Sequence, residues 1–162
     1  MITIRKPDRN DNERRFYDML QDIEEEHSYM YGTKDVPFEK FPMWLNSREQ
    51  QAELTTPYSF TTYWILQDDE PIGIGVVQHV LTDELREKGG NIAYCIAPQH
   101  RGKGCGSIAI PLLVEKMRES NIDEILFMIS KNNIPSIRCA EKAGAKVFRE
   151  NDTDYYLKIF VH

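Results

Sequence analysis

The sequence predicts an α/β domain built on a mixed sheet, and two patterns along the chain support this fold class. Between residues 61 and 77, two runs rich in β-branched and aromatic residues flank an acidic turn, which is typical of a hairpin. From residue 91 onward the order becomes strand, glycine-rich turn, helix, strand and helix, as in crossover connections. The 162 residues, 41% hydrophobic and 28% charged, suit one globular domain over residues 1–162.

The first third of the chain predicts one short strand and two helices. The strand is expected at residues 3–5, and Pro7 follows it. A helix is expected from residue 11 to about residue 30, where side chains on one face recur at helical spacing. These are Phe16, Leu20, Ile23 and His27. A second helix is expected over roughly residues 38–54.

The rest of the chain predicts strands joined first by turns and then by helices. The hairpin pairs residues 61–67 with 72–77, and a polar insert at residues 82–90 leads to a fourth strand at 91–97. The later elements are a helix at 104–120, a strand at 125–129, a helix from Asn132 or Asn133 to Gly144, and strands at 146–149 and 155–161. Pro111 lies inside the first of these helices, where it should cost about 3 kcal/mol or more and kink the axis.

Composition excludes several classes of protein. A net charge of −6 argues against a general nucleic-acid binder, although one anionic ligand can still be held by a local group of donors. No apolar run is long enough for a membrane span, and the first residues lack the pattern of a secretory signal, so we expect a cytoplasmic protein. Cys95, Cys105 and Cys139 form no CxxC pair, so we expect buried free thiols and neither a disulfide framework nor a metal site.

The segment from Pro98 to Ser107 carries the strongest functional signal. Three glycines in five positions, Gly102, Gly104 and Gly106, allow close approach of a ligand to the backbone, and the following helix N-terminus favours an anion. Its spacing fits neither the Walker phosphate loop nor the G-x-G-x-x-G dinucleotide pattern. Two interpretations remain at this point: a pyrophosphate cradle, or a glycine-bearing turn with a solvated Arg101 and Lys103.

The surrounding residues favour the first interpretation. The string Arg101-x-x-Gly104-x-Gly106, after a fourth strand and opening a helix, resembles the Arg/Gln-x-x-Gly-x-Gly/Ala signature of the GCN5-related N-acetyltransferases (GNAT). Asn133-x-x-Ser136 resembles the second cofactor segment of that superfamily. The chain also resembles a bacterial subgroup of that superfamily, whose substrate is unassigned and in which a Gly-Gly pair, here Gly89-Gly90, precedes the fourth strand. The order of elements matches over essentially the whole chain, whereas the specific motifs cover about residues 91–144.

The resemblance implies a fold, a cosubstrate and a set of contacts. The fold would be a central, mostly antiparallel mixed sheet with splayed parallel fourth and fifth strands and helices on both faces. Acetyl-coenzyme A would be the cosubstrate, with no metal. The residues implied to bind it are Cys95, Ile96 and Ala97 along the pantetheine; the backbone of Arg101, Gly102, Lys103, Gly104, Cys105, Gly106 and Ser107 at the pyrophosphate; and Asn133 and Ser136 near both. A plain helix cap is an equally good interpretation of Asn133.

Acetylation of an amine sets the requirements for catalysis. An alkylamine with a pKa of ~10.4 is neutral in only about one molecule in 2,500 at pH 7, so a base is needed. His79 is the best single candidate, with a half-buried histidine satisfied by a neighbour as the alternative. Relatives often place a glutamate where Asn91 stands. A backbone N–H near Ile96 would stabilise the oxyanion.

The general acid and the acceptor are less defined by the sequence. Many relatives place a tyrosine seven residues after the capping asparagine, but that position is Ala140. Either Tyr155, Tyr156 or water supplies the proton, or the thiolate leaves unassisted. The acceptor is expected to be a small-molecule or peptide amine, and a homodimer is one assembly to test. The region expected to contact the acceptor contains aromatic residues, most of which we expect in the core. It also contains the acids Glu24, Glu25 and Glu26, which could either attract a cationic amine or form the solvated face of a helix. The aromatic residues are Tyr29, Tyr31, Phe38, Phe41 and Trp44.

A non-catalytic acetyl-coenzyme A sensor and an interaction scaffold are the competing functions.

Overall fold

Seven strands form two hydrogen-bonded sheets within residues 1–26, 31–53, 59–120 and 122–161, the ranges that the computed structural model describes. In chain order the strands are β1 (Ile2–Arg5), β2 (Phe60–Gln67), β3 (Glu70–Gln78), β4 (Ile92–Ile96), β5 (Glu124–Ser130), β6 (Lys146–Glu150) and β7 (Asp154–Phe160). The first sheet has the order β1-β2-β3-β4 and the second has the order β5-β7-β6. Every ladder between adjacent strands is antiparallel.

Five helices connect these strands within the described ranges: α1 (Arg14–Glu26), α2 (Phe41–Glu53), α3 (Asp83–Glu87), α4 (Cys105–Arg118) and α5 (Ile134–Lys142). The helix α3 is absent from the sequence prediction, which treated residues 82–90 as a polar insert. Thr82 caps α3 by accepting a hydrogen bond from the Leu85 N–H, 3.2 Å away. Residues 27–30, which include His27 and Tyr29, and residue 54 lie outside the described ranges. Among the described helices, none is long and apolar enough to cross a membrane.

The helices cover both faces of the first sheet. On one face α1 and α2 bury Phe16, Leu20 and Trp44 against Trp64 of β2. On the other face α4 buries Leu113, which packs with Val77 of β3 in a separate apolar cluster. The predicted fold class, with helices on both faces, is therefore confirmed. Pro111 lies on the exposed side of α4, and the helix continues through it.

A buried carboxylate fixes the start of α1 to the sheet. The side chain of Asp11 accepts two hydrogen bonds of 2.8 Å from Arg5, one of 2.7 Å from the Asp8 N–H and one of 2.9 Å from the Trp64 indole. Burial alone would raise the pKa of Asp11, but these donors outweigh it and lower the pKa. The helix that later contributes Glu24 and Glu26 is therefore anchored at its beginning.

The two sheets meet at one point and then separate. Asn91, fully buried before β4, donates its N–H to the Leu126 carbonyl at 3.0 Å and accepts the Leu126 N–H on its side-chain oxygen at 2.7 Å. Its side-chain amide reaches the Glu124 carbonyl at 3.4 Å. Gly90 and Phe127 form one isolated antiparallel bridge here, but β4 and β5 form no ladder, and the ends of both strands line one cleft.

We predict that Asn91→Ala destabilises the fold by about 1–3 kcal/mol, because the buried Leu126 N–H loses its partner. Urea unfolding followed by circular dichroism measures the change. Asn10→Ala is the matched control, since Asn10 is exposed and only its backbone N–H forms a described hydrogen bond. An Asn91→Ala variant as stable as the control would show that the two sheets do not depend on this contact.

Candidate active site

A cleft of about 630 Å³ lies between the separated ends of β4 and β5 and the first turns of α4 and α5. Ten of the twelve predicted cofactor residues line it: Cys95, Ile96, Arg101, Gly102, Gly104, Cys105, Gly106, Ser107, Asn133 and Ser136. The other two do not. Lys103 is exposed, and Ala97 is buried against α1 and α2. Residues far apart in the sequence thus converge on one concave site.

The glycine turn leaves backbone donors at the mouth of the cleft. Gly102 and Gly104 have φ values of 74° and 78°, the left-handed region that glycine adopts without strain. A Cβ atom on Gly104 would lie 3.8 Å from the Ser107 hydroxyl oxygen, an ordinary van der Waals distance, so the space outside this turn is open. Cys105, Gly106 and Ser107 form the first turn of α4, whose N–H groups have no partner within the helix. The arrangement is suited to an anion.

Arg101 holds the wall of the cleft together through its side chain. Its N–H donates to the Pro98 carbonyl at 3.3 Å and is therefore occupied within the turn. Its guanidinium donates to both carboxylate oxygens of Glu26, at 2.7 and 2.9 Å, and to the Ile96 carbonyl at 2.8 Å. The side chain consequently links the end of α1 to the end of β4.

The register of β4 decides which of its backbone groups face the cleft. The Ala97 N–H donates to the Ile72 carbonyl at 2.8 Å, so the amide of Ala97 is occupied inside the sheet. Because backbone groups alternate in direction along a strand, the N–H of Ile96 points to the opposite edge, toward β5. The edge therefore presents the Ile96 N–H, while the Ile96 carbonyl is taken by Arg101.

Tyr94 is a cleft residue that the sequence analysis missed. Its hydroxyl shares a hydrogen bond of 2.9 Å with the hydroxyl of Ser136, and burial raises the pKa of Tyr94 to about 12. Gly106 permits this approach, since a Cβ there would lie 3.3 Å from the Tyr94 ring. Strand periodicity is the sequence feature that could have identified Tyr94, because it stands two residues before Ile96 and so faces the same side of the sheet.

The first turn of α5 forms the opposite wall. The Asn133 side chain accepts the Ser136 N–H at 3.4 Å and caps the helix, and both residues also line the cleft. All three cysteines are free and line the same cleft, with Cys95 and Cys105 buried and Cys139 half-buried. Ala140, at the position where many relatives have a tyrosine, is fully buried.

The structure does not bring His79 to the cleft. Its ring nitrogens share hydrogen bonds of 3.0 Å with the Ser59 hydroxyl and 2.6 Å with the Thr61 hydroxyl. Gly73 of β3 pairs with Ile96, and His79 directly follows the last residue of β3, six residues beyond Gly73 and roughly 20 Å from the cleft end of β4. The sequence placed a titratable side chain near the end of a strand, but it did not indicate which end of the sheet would carry the site.

The two C-terminal tyrosines are also placed elsewhere. Tyr155 lies within β7, half-buried and paired with Ile129 of β5. The hydroxyl of Tyr156 donates to the Glu87 carbonyl at 2.7 Å. Glu87 itself forms a surface ion pair of 3.2 Å with Arg149. Neither tyrosine lines the cleft.

His79 generates a prediction for the pH dependence of stability. Burial, followed by the charge of Lys6, lowers the pKa of His79 from its ordinary 6.5. The unfolded chain therefore takes up this proton before the folded chain does, so stability is full above pH ~6.5 and is lost as the pH falls toward the folded pKa. We expect His79→Gln to lose less stability than the wild type between pH 7.5 and pH 5.5 in urea unfolding. Equal losses would contradict a neutral, hydrogen-bonded His79.

Comparisons with known proteins agree with this geometry. Residues 2–146 match the family model described as an acetyltransferase (GNAT) domain. No curated protein matches the sequence. The structure of the aminoglycoside acetyltransferase AAC(6')-Ib with coenzyme A and kanamycin is similar, with 22% identity, coverage of 99% of this chain and 95% of that chain, and a TM-score of 0.67.

Two further structures share the fold at lower identity. The microcin C7 self-immunity acetyltransferase MccE, in complex with acetyl-CoA and AMP, is 13% identical over 98% of this chain and 92% of its own, with a TM-score of 0.72. The spermidine/spermine N-acetyltransferase SpeG from Vibrio cholerae is 16% identical over 99% and 95%, with a TM-score of 0.65. With the family model spanning most of its length, the chain belongs to the GNAT acetyltransferase family.

Proposed function

We propose that the chain, acting as a single domain over residues 1–162, transfers the acetyl group of acetyl-coenzyme A to an amine. The observation that carries the proposal is the cleft at the separated ends of β4 and β5, with the left-handed glycine turn and the α4 N-terminus at its mouth. Similar structures contain coenzyme A or acetyl-CoA, and two of them are named for aminoglycosides or spermidine. Three free cysteines around the cleft are in keeping with a reducing, cytoplasmic setting.

The residues present fit a diphosphate-bearing cosubstrate. The turn from Gly102 to Gly104 and the N–H groups of Cys105, Gly106 and Ser107 would hold the pyrophosphate, because they combine open space with the positive end of a helix. Residues 98–114 contain no carboxylate that would repel it. When bound, acetyl-coenzyme A supplies the activated thioester; Ser136 and the β4 edge at Ile96 would orient its arm.

Two groups of the chain are placed to assist the reaction. The Ile96 N–H, directed away from β3, would stabilise the negative charge that develops on the thioester carbonyl oxygen. The Tyr94 hydroxyl stays protonated at neutral pH, since its pKa is raised to about 12, and would donate a hydrogen bond to the departing sulfur. Tyr94 thus takes the place of the tyrosine that Ala140 cannot supply.

A non-catalytic acetyl-coenzyme A sensor is the second candidate, favoured by the buried methyl group at Ala140. The decisive experiment is a thiol-release assay with acetyl-coenzyme A and a panel of primary, secondary and aromatic amines. Amine-dependent release, with mass spectrometry of the acetylated product, supports the transferase. Binding of the cosubstrate by calorimetry without release for any amine would support the sensor.

The cradle is tested by Gly104→Val. A branched side chain in the open space at the turn would collide with the diphosphate, so we expect coenzyme A to bind at least tenfold more weakly in calorimetry. Gly144→Val is the matched control: Gly144 also has positive φ, 103°, and open space around it, but does not line the cleft. Normal affinity in Gly104→Val, or equal loss in Gly144→Val, would contradict the assignment.

The role of Tyr94 is tested by Tyr94→Phe, which keeps the ring and removes the hydroxyl. We expect kcat to fall about tenfold, at the low end for acid assistance because a thiolate is a good leaving group, while the Kd of coenzyme A changes little. Tyr155→Phe is the competing test and should leave kcat unchanged. Loss of activity in Tyr155→Phe with full activity in Tyr94→Phe would reverse the assignment.

A further inference from the structure

All three thiol groups of the chain lie at the cleft, and the reaction proposed above uses none of them. Cys95, Cys105 and Cys139 are free and stand on three different elements, β4, α4 and α5. The molecule therefore concentrates its nucleophilic sulfur at the concave site that we assign to a cosubstrate whose own reactive atom is a sulfur. A thiolate that can reach a disulfide sulfur exchanges with it, so this cluster has a possible chemistry of its own.

The three thiols differ in how freely they can react. The Cys95 sulfur accepts a hydrogen bond of 3.5 Å from the Arg101 guanidinium and contacts a backbone carbonyl at 3.7 Å, and burial raises its pKa. Cys105 is 5% exposed and packs in the apolar cluster between the first sheet and α4. Burial in apolar surroundings disfavours the thiolate, which is the nucleophile in exchange. Cys139 is only half-buried, which leaves it as the accessible thiol of the cluster.

The Cys139 sulfur lies beside the Tyr94 hydroxyl. A Cβ atom placed on Gly106 would be 3.5 Å from this sulfur, 3.6 Å from the Tyr94 hydroxyl oxygen and 3.3 Å from the Tyr94 ring, so the two side chains meet at one point of the cleft wall. After burial and the hydrogen bond with Ser136, the Cys139 thiol is the next influence on the pKa of Tyr94. The helix α5 thus brings its thiol to the hydroxyl that we assign to the departing sulfur of the cosubstrate.

Two sulfur atoms would therefore share one hydroxyl once an acetyl group has been transferred. The proposed reaction leaves the thiol of coenzyme A within hydrogen-bond reach of Tyr94, and the Cys139 thiol contacts the same group. A disulfide needs a sulfur–sulfur distance of about 2.05 Å and a dihedral angle of about 90°. Rotation about the Cα–Cβ bond of Cys139 and about the single bonds of the cosubstrate arm supplies both without moving the backbone.

We propose that Cys139 is a modification site at which coenzyme A becomes attached through a mixed disulfide, and that this attachment switches the acyl-donor site off. The inference rests on the proposed function, because the cleft must first bind coenzyme A. The co-reactant is the symmetric disulfide of coenzyme A. In cytosolic proteins such bonds are usually transient and redox-sensing, which suits a reversible switch.

The exchange balances without a further oxidant. The Cys139 thiolate attacks one sulfur of the coenzyme A disulfide, so a bond forms between Cys139 and one coenzyme A while the sulfur–sulfur bond of the reagent breaks. The second coenzyme A leaves as a thiolate and takes up the proton that Cys139 gave up. The cysteine is oxidised, and the released coenzyme A is the reduced product.

The first measurement is the mass of the intact protein after exchange. Reductant-free wild type is incubated with equal concentrations of coenzyme A disulfide or of pantethine, the disulfide of the same arm without its nucleotide. We expect one coenzyme A per chain, located at Cys139 by peptide mapping, and attached at least tenfold faster than pantetheine, because the cradle holds the nucleotide and raises the effective concentration. Equal rates, or labelling of Cys95 or Cys105 in place of Cys139, would overturn the proposal.

Variants and protection separate the thiol from the cradle. Cys139→Ser should take up no coenzyme A, whereas Cys105→Ser, the matched control at another cleft cysteine, should be labelled like the wild type. Gly104→Val should slow labelling by coenzyme A disulfide at least tenfold and leave labelling by pantethine unchanged. Excess acetyl-coenzyme A, which occupies the cleft without a thiol, should protect wild-type Cys139, and this arm does not depend on the folding of any variant. Labelling that acetyl-coenzyme A does not slow would contradict exchange inside the cleft.

The outcomes also distinguish this inference from the proposed function. In protein that carries the adduct, we expect formation of the acetylated amine, followed by mass spectrometry, to fall at least tenfold and to return after dithiothreitol treatment. Unchanged acetylation by the adduct would overturn the switch. If amines are acetylated but Cys139 takes up no coenzyme A, the modification site is wrong and the transferase assignment stands. If Cys139 is labelled and protected as expected but no amine is acetylated, the modification site is correct and the transferase assignment fails.

Discussion

The contact between Asn91 and Leu126 is the constraint on which the rest of the architecture depends. It joins the two sheets through one backbone and one side-chain hydrogen bond at the start of β4, and beyond it the strands share no ladder. Two strands that are fixed at one end and covered by different helices must diverge at the other. The cleft exists because of that divergence, and its mouth falls where the glycine turn begins.

A single strand, β4, serves two environments because its side chains alternate. Tyr94 and Ile96 face α4 and α5, where the cleft opens, whereas Cys95 faces α1 and α2. Arg101 connects the two sides by bonding the Ile96 carbonyl and the Glu26 carboxylate at once. A charge at the surface of α1 is thereby held against the strand end, which gives the family signature a structural role in this chain besides any contact with phosphate.

The sequence was sufficient for features that are local. The glycine turn, the cap at Asn133 and the hairpin at Asp68 each depend on a few consecutive residues whose backbone preferences are strong, and the structure has them where they were expected. The cleft side chain Tyr94 was not identifiable in the same way, because its environment is supplied by residues distant in the chain. His79 illustrates the same limit, since periodicity places a residue on a face but does not place it along the axis of the sheet.

The proposed direct transfer requires that the cosubstrate and the amine meet at an open edge of the sheet. A continuous ladder would block passage between the α4 side and the α1 side, but among the described strands β4 is an edge strand whose free edge faces the cleft. A cosubstrate arm lying along that edge would be open to an acceptor through the gap that the divergence creates.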